Sequence, residues 1–380
     1  MVLNNHTERA HALLSASSAH RWLECPPSAV AVEKYPSQQT SYTEEGTLAH
    51  EVAEAIARQR LTGDQNDITL PSGVTREMVD CANGYADYIQ EHITSPTAQV
   101  LLETRVDFSP WVPDGFGTCD CIILQDDTMH VIDYKFGQGV VVSARDNPQL
   151  KLYALGALND YGLAYDVRDV VVHIYQPRLN HIDIDLMTTE AVLGWANKTV
   201  LPTAEKAAKG KGKYKAGEHC RFCPHAGRCR TLTKTCTEFI ETHDLRVGVP
   251  VLADFELADV LRMEPLINLW LRKVKESALT RLTHGEPLPG FKLVEGRQGL
   301  RRWTDESAVA ETLASLGYGE KDITTVELLS PAQMGKLIGR KQMESVEQFI
   351  TRSPGQPTIA PESDPRPAFN PVDDFDNLEG

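Results

Sequence analysis

The chain is poor in several features that mark whole classes of protein. No run approaches the roughly 18 consecutive apolar residues of a membrane-spanning helix, which excludes a helical channel or transporter. The opening "MVLNNHTERAHALLSASS" lacks a basic start followed by an apolar block, so no export is expected and the chain reads as cytoplasmic with no membrane partner. No Walker A stretch occurs, so any coupled ATP-driven motor must be a separate protein. "HEVAE" at 50–54 has glutamate where a zinc protease needs its second histidine, which sets that activity aside. No repeat of solenoid period is evident. Positive charge is scarce as well: 38 Lys and Arg stand against 53 Asp and Glu, a net charge of −15. Indiscriminate binding to a polyanion is thereby excluded, and any contact with nucleic acid must be local.

What is present has an order. "SYTEEGTLAHEVAEAIARQRLTG" spaces Leu48, Val52 and Ile56 four apart and ends on Gly63, which predicts an amphipathic helix carrying His50. Three strand-like runs follow, at 99–108, 117–125 and 129–137, separated by turn material. "DNPQLKLYALGALNDYG" then offers Asn147 as a cap and Pro148 at the first helical position. "DVVVHIYQP" (169–177) is a further strand, and 189–209 is again helical. Helix, three strands, helix, strand is an α/β or α+β layer architecture. At 380 residues the chain holds one large domain and something smaller. We divide it into 1–245, an accessory region 246–350 with a long or broken helix, a hairpin and a short capped helix, and a disordered acidic, proline-rich tail 351–380.

"VIDYKFGQG" (131–139) places an acid and a lysine on either side of one tyrosine within a buried-looking strand. Strand side chains alternate, so Asp133 and Lys135 leave one face together. If the preceding run pairs as a hairpin, Asp120 shares that face while Cys119 and Cys121 pack behind. Two converging carboxylates repel unless a cation lies between them, and hard oxygen ligands suit Mg²⁺ or Mn²⁺. A neighbouring lysine can orient or help deprotonate a metal-bound water and offset charge developing on phosphorus. In outline this is a phosphodiesterase site.

Asp120 followed by Asp133-Tyr134-Lys135 resembles the D…(D/E)xK signature of PD-(D/E)XK nucleases, and the "DYK" form is similar to that of RecB-type exonucleases. "GTLAHEVAE" resembles the upstream motif whose histidine, here His50, joins the metal site in that group. Gln149 and Tyr153 resemble its Q-x-x-x-Y motif, and their four-residue step puts them on one helical face. The resemblance implies a restriction-endonuclease-like core of order αβββαβ, and a metal site of His50, Asp120 and Asp133 with Lys135, Gln149 and Tyr153 around it. Glu103, in the first strand, is either one more metal-site acid, as similar nucleases often carry there, or a strand-edge charge. His173 reads as a packed or surface group.

Eight cysteines without an export signal read as thiols or metal ligands rather than a disulfide framework. Cys220-x2-Cys223-x5-Cys229 supplies three thiolates, and Cys25 far upstream is the suggested fourth. That split resembles the iron-sulfur nucleases, the AddB-type helicase-nuclease subunit and the CRISPR-associated RecB-like nucleases, and implies a 4Fe-4S cluster tying the domain's ends together. The rival is structural zinc, with His219 or His225 as a possible ligand. Cys81, Cys119, Cys121 and Cys236 read as small buried apolar groups. Lys206, Lys209, Lys211, Lys213 and Lys215, followed by Arg221, Arg228 and Arg230, either bind phosphates, with Tyr214 available to stack, or form a solvated linker. The same choice stands for the hairpin with Arg297, Arg301, Arg302 and Trp303.

"HALLSASSAHRWLECPPS", "EGTLAHE" and "GFKLVEGRQGLRRW" together resemble a phage and prophage family of predicted exonucleases, over about residues 11 to 345. This implies a DNA nuclease processing ends in phage recombination or replication, acting beside a helicase, annealing or single-strand-binding protein. The alternatives are a catalytically silent DNA-binding or recombination-partner protein on the same fold, and a nuclease acting on RNA. The sequence leaves the oligomeric state open.

Overall fold

In the computed structural model, residues 12–35, 41–62, 70–242, 253–292 and 294 are described, with isolated positions beyond 300. The chain divides into two compact units, Met1–Gly296 and Arg297–Gly380. The hairpin with Arg297, Arg301, Arg302 and Trp303, the short helix expected near 330 and the acidic tail lie outside the described residues. No helix among the described residues is long and apolar enough to cross a membrane.

The first unit opens with two short helices, α1 (Ala19–Glu24) and α2 (Ser28–Ala31), then α3 (Ser41–Thr62) and α4 (Arg76–Glu91). Strands β1 (Gln99–Asp107), β2 (Phe116–Gln125) and β3 (Thr128–Tyr134) follow, then α5 (Pro148–Tyr165), β4 (Asp169–Gln176) and β5 (His181–Thr188). Helices α6 (Thr189–Trp195) and α7 (Leu201–Ala208) are joined by a π-helical turn, and α8 (Arg230–Thr242) and α9 (Asp254–Thr283) complete the unit. The fold is thus mixed α/β. Its single sheet has the order β1-β2-β3-β4-β5, antiparallel except where β4 lies parallel to β3. A parallel neighbour needs a crossover, and α5 supplies it. It starts where the sequence indicates: the Asn147 side chain accepts the N–H groups of Gln149 and Leu150, and Pro148 takes the first position.

The sheet is covered on both faces. Ala49, Val52, Ile56, Met78, Ala82, Tyr85 and Ile89 press α3 and α4 onto one face against Ile132 and Tyr134. Leu150, Ala154, Ala157 and Leu158 press α5 onto the other, where Trp22 of α1 and Ala204 and Ala207 of α7 join the core. Gly156 allows this contact, because a Cβ there would meet Val106 Cβ at 2.9 Å.

Several elements were not anticipated, among them α1, α2, α4, α8 and β5. Helix α4 carries Met78, Ala82, Tyr85 and Ile89 at helical spacing behind a Thr75 cap, and its two alanines and one glycine weaken the apolar signal. Strand β5 alternates Ile182, Ile184 and Leu186 with Asp183 and Asp185 at the sheet edge. The long helix expected near 254 is the unbroken α9, and it packs within the first unit, beyond the change of character placed at 245. Leu266, Ile267, Leu269 and Trp270 of α9 join Cys236 and Leu232 of α8, and Gly227 sits so close that a Cβ would fall 2.2 Å from the Lys273 carbonyl oxygen.

Candidate functional site

The β2–β3 ladder ends at Cys121↔Ile132. Beyond it the strands part, and the Asp120 carboxylate replaces the missing ladder bond by accepting the Tyr134 N–H at 2.7 Å. On its other edge β2 pairs Leu102↔Cys121 and Thr104↔Cys119, with Glu103 and Asp120 left out between them. Glu103 has φ 45°, a left-handed conformation that costs a non-glycine residue about 1–3 kcal/mol.

Here both strands change the phase of their alternation. Val100, Leu102, Cys121 and Ile123 face α3 and α4, whereas Val106 and Cys119 face α5. The expectation that Cys119 and Cys121 pack together behind Asp120 is therefore not met: each lies in a different core, because the alternation changes phase where Glu103 and Asp120 drop out of the pairing, with the register kept on either side. At this break in the pairing Glu103 and Asp120 reach His50 of α3, with one ligand atom from each of the three within 4.8 Å of the others. His50 Nδ1 lies 3.4 Å from Asp120 Oδ1, and the imidazole edge rests on Tyr134.

Strand β3 keeps its alternation, so Asp133 and Lys135 emerge together on the α5 side as expected. Lys135 Nζ lies 2.9 Å from Asp133 Oδ2 and donates to Gln149 Oε1 at 3.3 Å. Gln149 Nε2 donates to Asp133 Oδ1 (3.2 Å) and to the Tyr153 hydroxyl (3.1 Å), so one amide fixes acid, lysine and tyrosine at once. Gly117, which the sequence did not mark, makes room for the tyrosine: a Cβ there would meet Tyr153 Cε1 at 2.7 Å. All six residues of the resemblance, with Glu103, thus meet in one place. Asp133 does not belong to the 4.8 Å set, since its oxygens engage Lys135 and Gln149.

The charges explain one another. Burial, and then the Asp120 charge, push the Glu103 carboxyl up to about 7. Asp120 is buried too, yet His50, Lys135 and the Tyr134 N–H outweigh that and hold it below the usual carboxylate range. Burial opposes charge on Lys135, but Asp133 and Asp120 win and raise its pKa, so it stands as an ammonium rather than a base. A cation among His50, Glu103 and Asp120 would offset both the burial and the Asp120 repulsion that raise the Glu103 pKa. Asp133 Oδ2, buried and in ion-pair contact with Lys135, makes no hydrogen bond of good geometry and keeps a lone pair for such a cation. The residues present fit a hard divalent ion.

The second cluster is made of thiols. Cys25 closes α1, while Cys220, Cys223 and Cys229 lie in the turns between α7 and α8, and all four are buried. Backbone N–H groups point at three sulfurs: Lys215 to Cys25 at 3.5 Å, Gly217 to Cys220 and His225 to Cys223. Arg21, buried on α1 at 8% exposure, bonds Cys223 and neighbours Cys25; the sequence signal was only its four-residue step from Cys25. Burial, and then the other three thiols, push Cys220 up to about 11. Buried sulfurs that receive donors and a guanidinium suit thiolates bound to a metal better than apolar packing. His219 Nε2 is bonded to the Lys215 carbonyl and His225 Nδ1 to the Tyr35 hydroxyl, so each histidine has one ring nitrogen engaged elsewhere.

Comparison with known proteins gives three findings. A family profile described as "Protein of unknown function (DUF2800)" matches residues 11–367. The crystal structure of SSO0001 aligns over 59% of this chain and 90% of its own at 12% identity, with a TM-score of 0.29. A structure described as "Putative exonuclease" from Eubacterium rectale aligns over 68% of this chain and 98% of its own at 10% identity, with a TM-score of 0.33. Neither structural likeness is close enough to carry any part of the function.

Proposed function

This chain belongs to the family of proteins of unknown function DUF2800, and for it we propose a divalent-metal-dependent nuclease of the RecB-like, PD-(D/E)XK kind that hydrolyses phosphodiester bonds in DNA. The observation that carries this is the convergence of His50, Glu103 and Asp120 within 4.8 Å beside the Asp133–Lys135–Gln149 triad.

His50, Glu103 and Asp120, with Asp133 adjoining, would hold Mg²⁺ or Mn²⁺. Such an ion, when bound, polarises a phosphoryl oxygen and lowers the pKa of water. Lys135, kept protonated by its acids, supplies a fixed positive charge toward the negative charge that develops on the phosphoryl oxygens. Gln149 holds that ammonium in place, and Tyr153, seated on Gly117, holds Gln149. A 5′-phosphate and a 3′-hydroxyl are the expected products, from end processing in phage recombination or replication beside a helicase, annealing or single-strand-binding protein in the cytoplasm.

The reading extends to Cys25, Cys220, Cys223 and Cys229 as ligands of a 4Fe-4S cluster. The alternative is structural Zn²⁺ on the same thiols.

An anaerobic preparation, assayed with Mg²⁺ or Mn²⁺ on end-labelled linear DNA and RNA side by side, tests the proposal. It expects DNA hydrolysis that Asp133→Asn abolishes in a folded protein. No hydrolysis with either ion, or equal hydrolysis by the variant, overturns the reading. Iron and sulfide content decides the cluster.

A further inference from the structure

The surface around the thiols plays no part in the reaction above. In a chain of net charge −15, residues 206–230 carry eight lysines and arginines against the single Glu218. The segment is no loose tether. Gly210 (φ +60°) and Gly212 (φ +111°) lay it against Val30 and Pro26, where Cβ atoms would come within 3.2 and 3.4 Å. Lys211 N–H donates to the Lys206 carbonyl at 2.8 Å, and Lys215 is anchored through Cys25 and Glu24. Lys206, Lys209, Lys211 and Lys213 are left exposed on a fixed backbone.

An aromatic side chain stands among these charges. Phe222 is 67% exposed, although its neighbours Cys220 and Cys223 are buried and fix the root of the ring. The Arg221 guanidinium lies 5.8 Å from its centroid. Tyr214, 42% exposed, adjoins His225 on the same thiol loop. Water around so large an apolar ring is unfavourable. A site made only for phosphates would need no such ring.

We propose that this face is a docking platform for single-stranded nucleic acid, in which Phe222 stacks on a base while Arg221 and the lysines of 206–213 take the flanking phosphates. Charge complementarity selects a polyanion from an otherwise acidic chain. The ring selects an unpaired strand, because a duplex hides its base faces in the stack and yields them only at the cost of unstacking. The biological sense of this surface rests on the nuclease reading; its chemistry does not.

Fluorescence anisotropy of the full chain carrying its thiol-site metal, with labelled oligo-dT and with a blunt duplex and no Mg²⁺ or Mn²⁺ added, is the test. Phe222→Ala should raise the Kd for oligo-dT by about 5- to 100-fold, the range expected for loss of one base–aromatic stack, and leave the salt slope unchanged. Lys211→Ala with Lys213→Ala should make that slope shallower. Should Phe222→Ala disturb the thiol site, as metal content would reveal, Phe222→Trp should hold the affinity and Phe222→Leu should lose it. Equal affinity of the wild type and Phe222→Ala or Phe222→Leu, or tighter binding of the duplex than of oligo-dT, overturns the proposal. Phe222-dependent binding without hydrolysis of any nucleic acid would remove the nuclease reading and leave the platform. Hydrolysis indifferent to Phe222 would do the reverse.

Discussion

Glu103 is where strain and charge coincide. A left-handed glutamate in mid-strand, with a carboxyl that burial and Asp120 push up to about 7, is unfavourable on both counts, and the metal reading explains why it is there. Glu103→Gly should therefore stabilise the metal-free protein by about 1 kcal/mol in urea denaturation, since glycine takes that backbone conformation freely. The same variant should lose roughly tenfold or more in metal-dependent hydrolysis. A variant both less stable and fully active would contradict this. Lys135→Met should lower the hydrolysis rate by about 100-fold, the scale of one preorganised charge at a reacting centre, in a steady-state assay. His50, Asp120, Asp133, Lys135, Gln149 and Tyr153 were legible because their spacing matches a motif. Glu103 stayed open, because the break in pairing that brings it to His50 belongs to two strands at once and leaves no trace in either. The same break separated Cys119 from Cys121.

Among the elements, local signals were read where they were strong. Asn147 and Pro148 start α5, and the β-branched run at 169–176 is β4. Helix α4 escaped because Ala82, Gly84 and Ala86 dilute its apolar stripe, and β5 because its apolar residues face outward at an edge. How α9 docks was also hidden, since it depends on a glycine with no partner in sequence. Gly227→Ala would drive a methyl group into the Lys273 carbonyl, with Ser277 Cβ 2.7 Å from the same point. It should destabilise the seat of α9 by about 1–3 kcal/mol. Limited proteolysis should then cut within α9 faster, with the α5 side of the sheet still protected. Unchanged cleavage would mean that α9 is not held by this contact.

For the molecule as a whole, an imidazole pair on the central strands, His130 three residues before Asp133 on β3 and His173 opposite Ile132 on β4, sets a limit in acid. Burial, then the charge of His92, hold His130 at about 4, and burial with His130 and His92 holds His173 at about 3. His173 bonds Tyr88 at 2.8 Å and His130 at 3.0 Å. Both folded values lie below the ordinary 6.5, so the unfolded chain binds more protons below that pH. Stability is full above about pH 6.5 and falls as pH drops toward 4, by at most about 1.4 kcal/mol per pH unit for each proton. Urea midpoints at stepped pH should show this slope, and His173→Gln should flatten it; an unchanged slope would place the acid sensitivity elsewhere.

The metal set itself carries the account, and Mn²⁺ titration by calorimetry on wild type and Asp120→Asn tests it most directly. The wild type should bind Mn²⁺ at a site that the variant, with its fold intact by circular dichroism, has lost or weakened at least tenfold. Equal Mn²⁺ binding by both proteins would mean that His50, Glu103 and Asp120 do not share an ion.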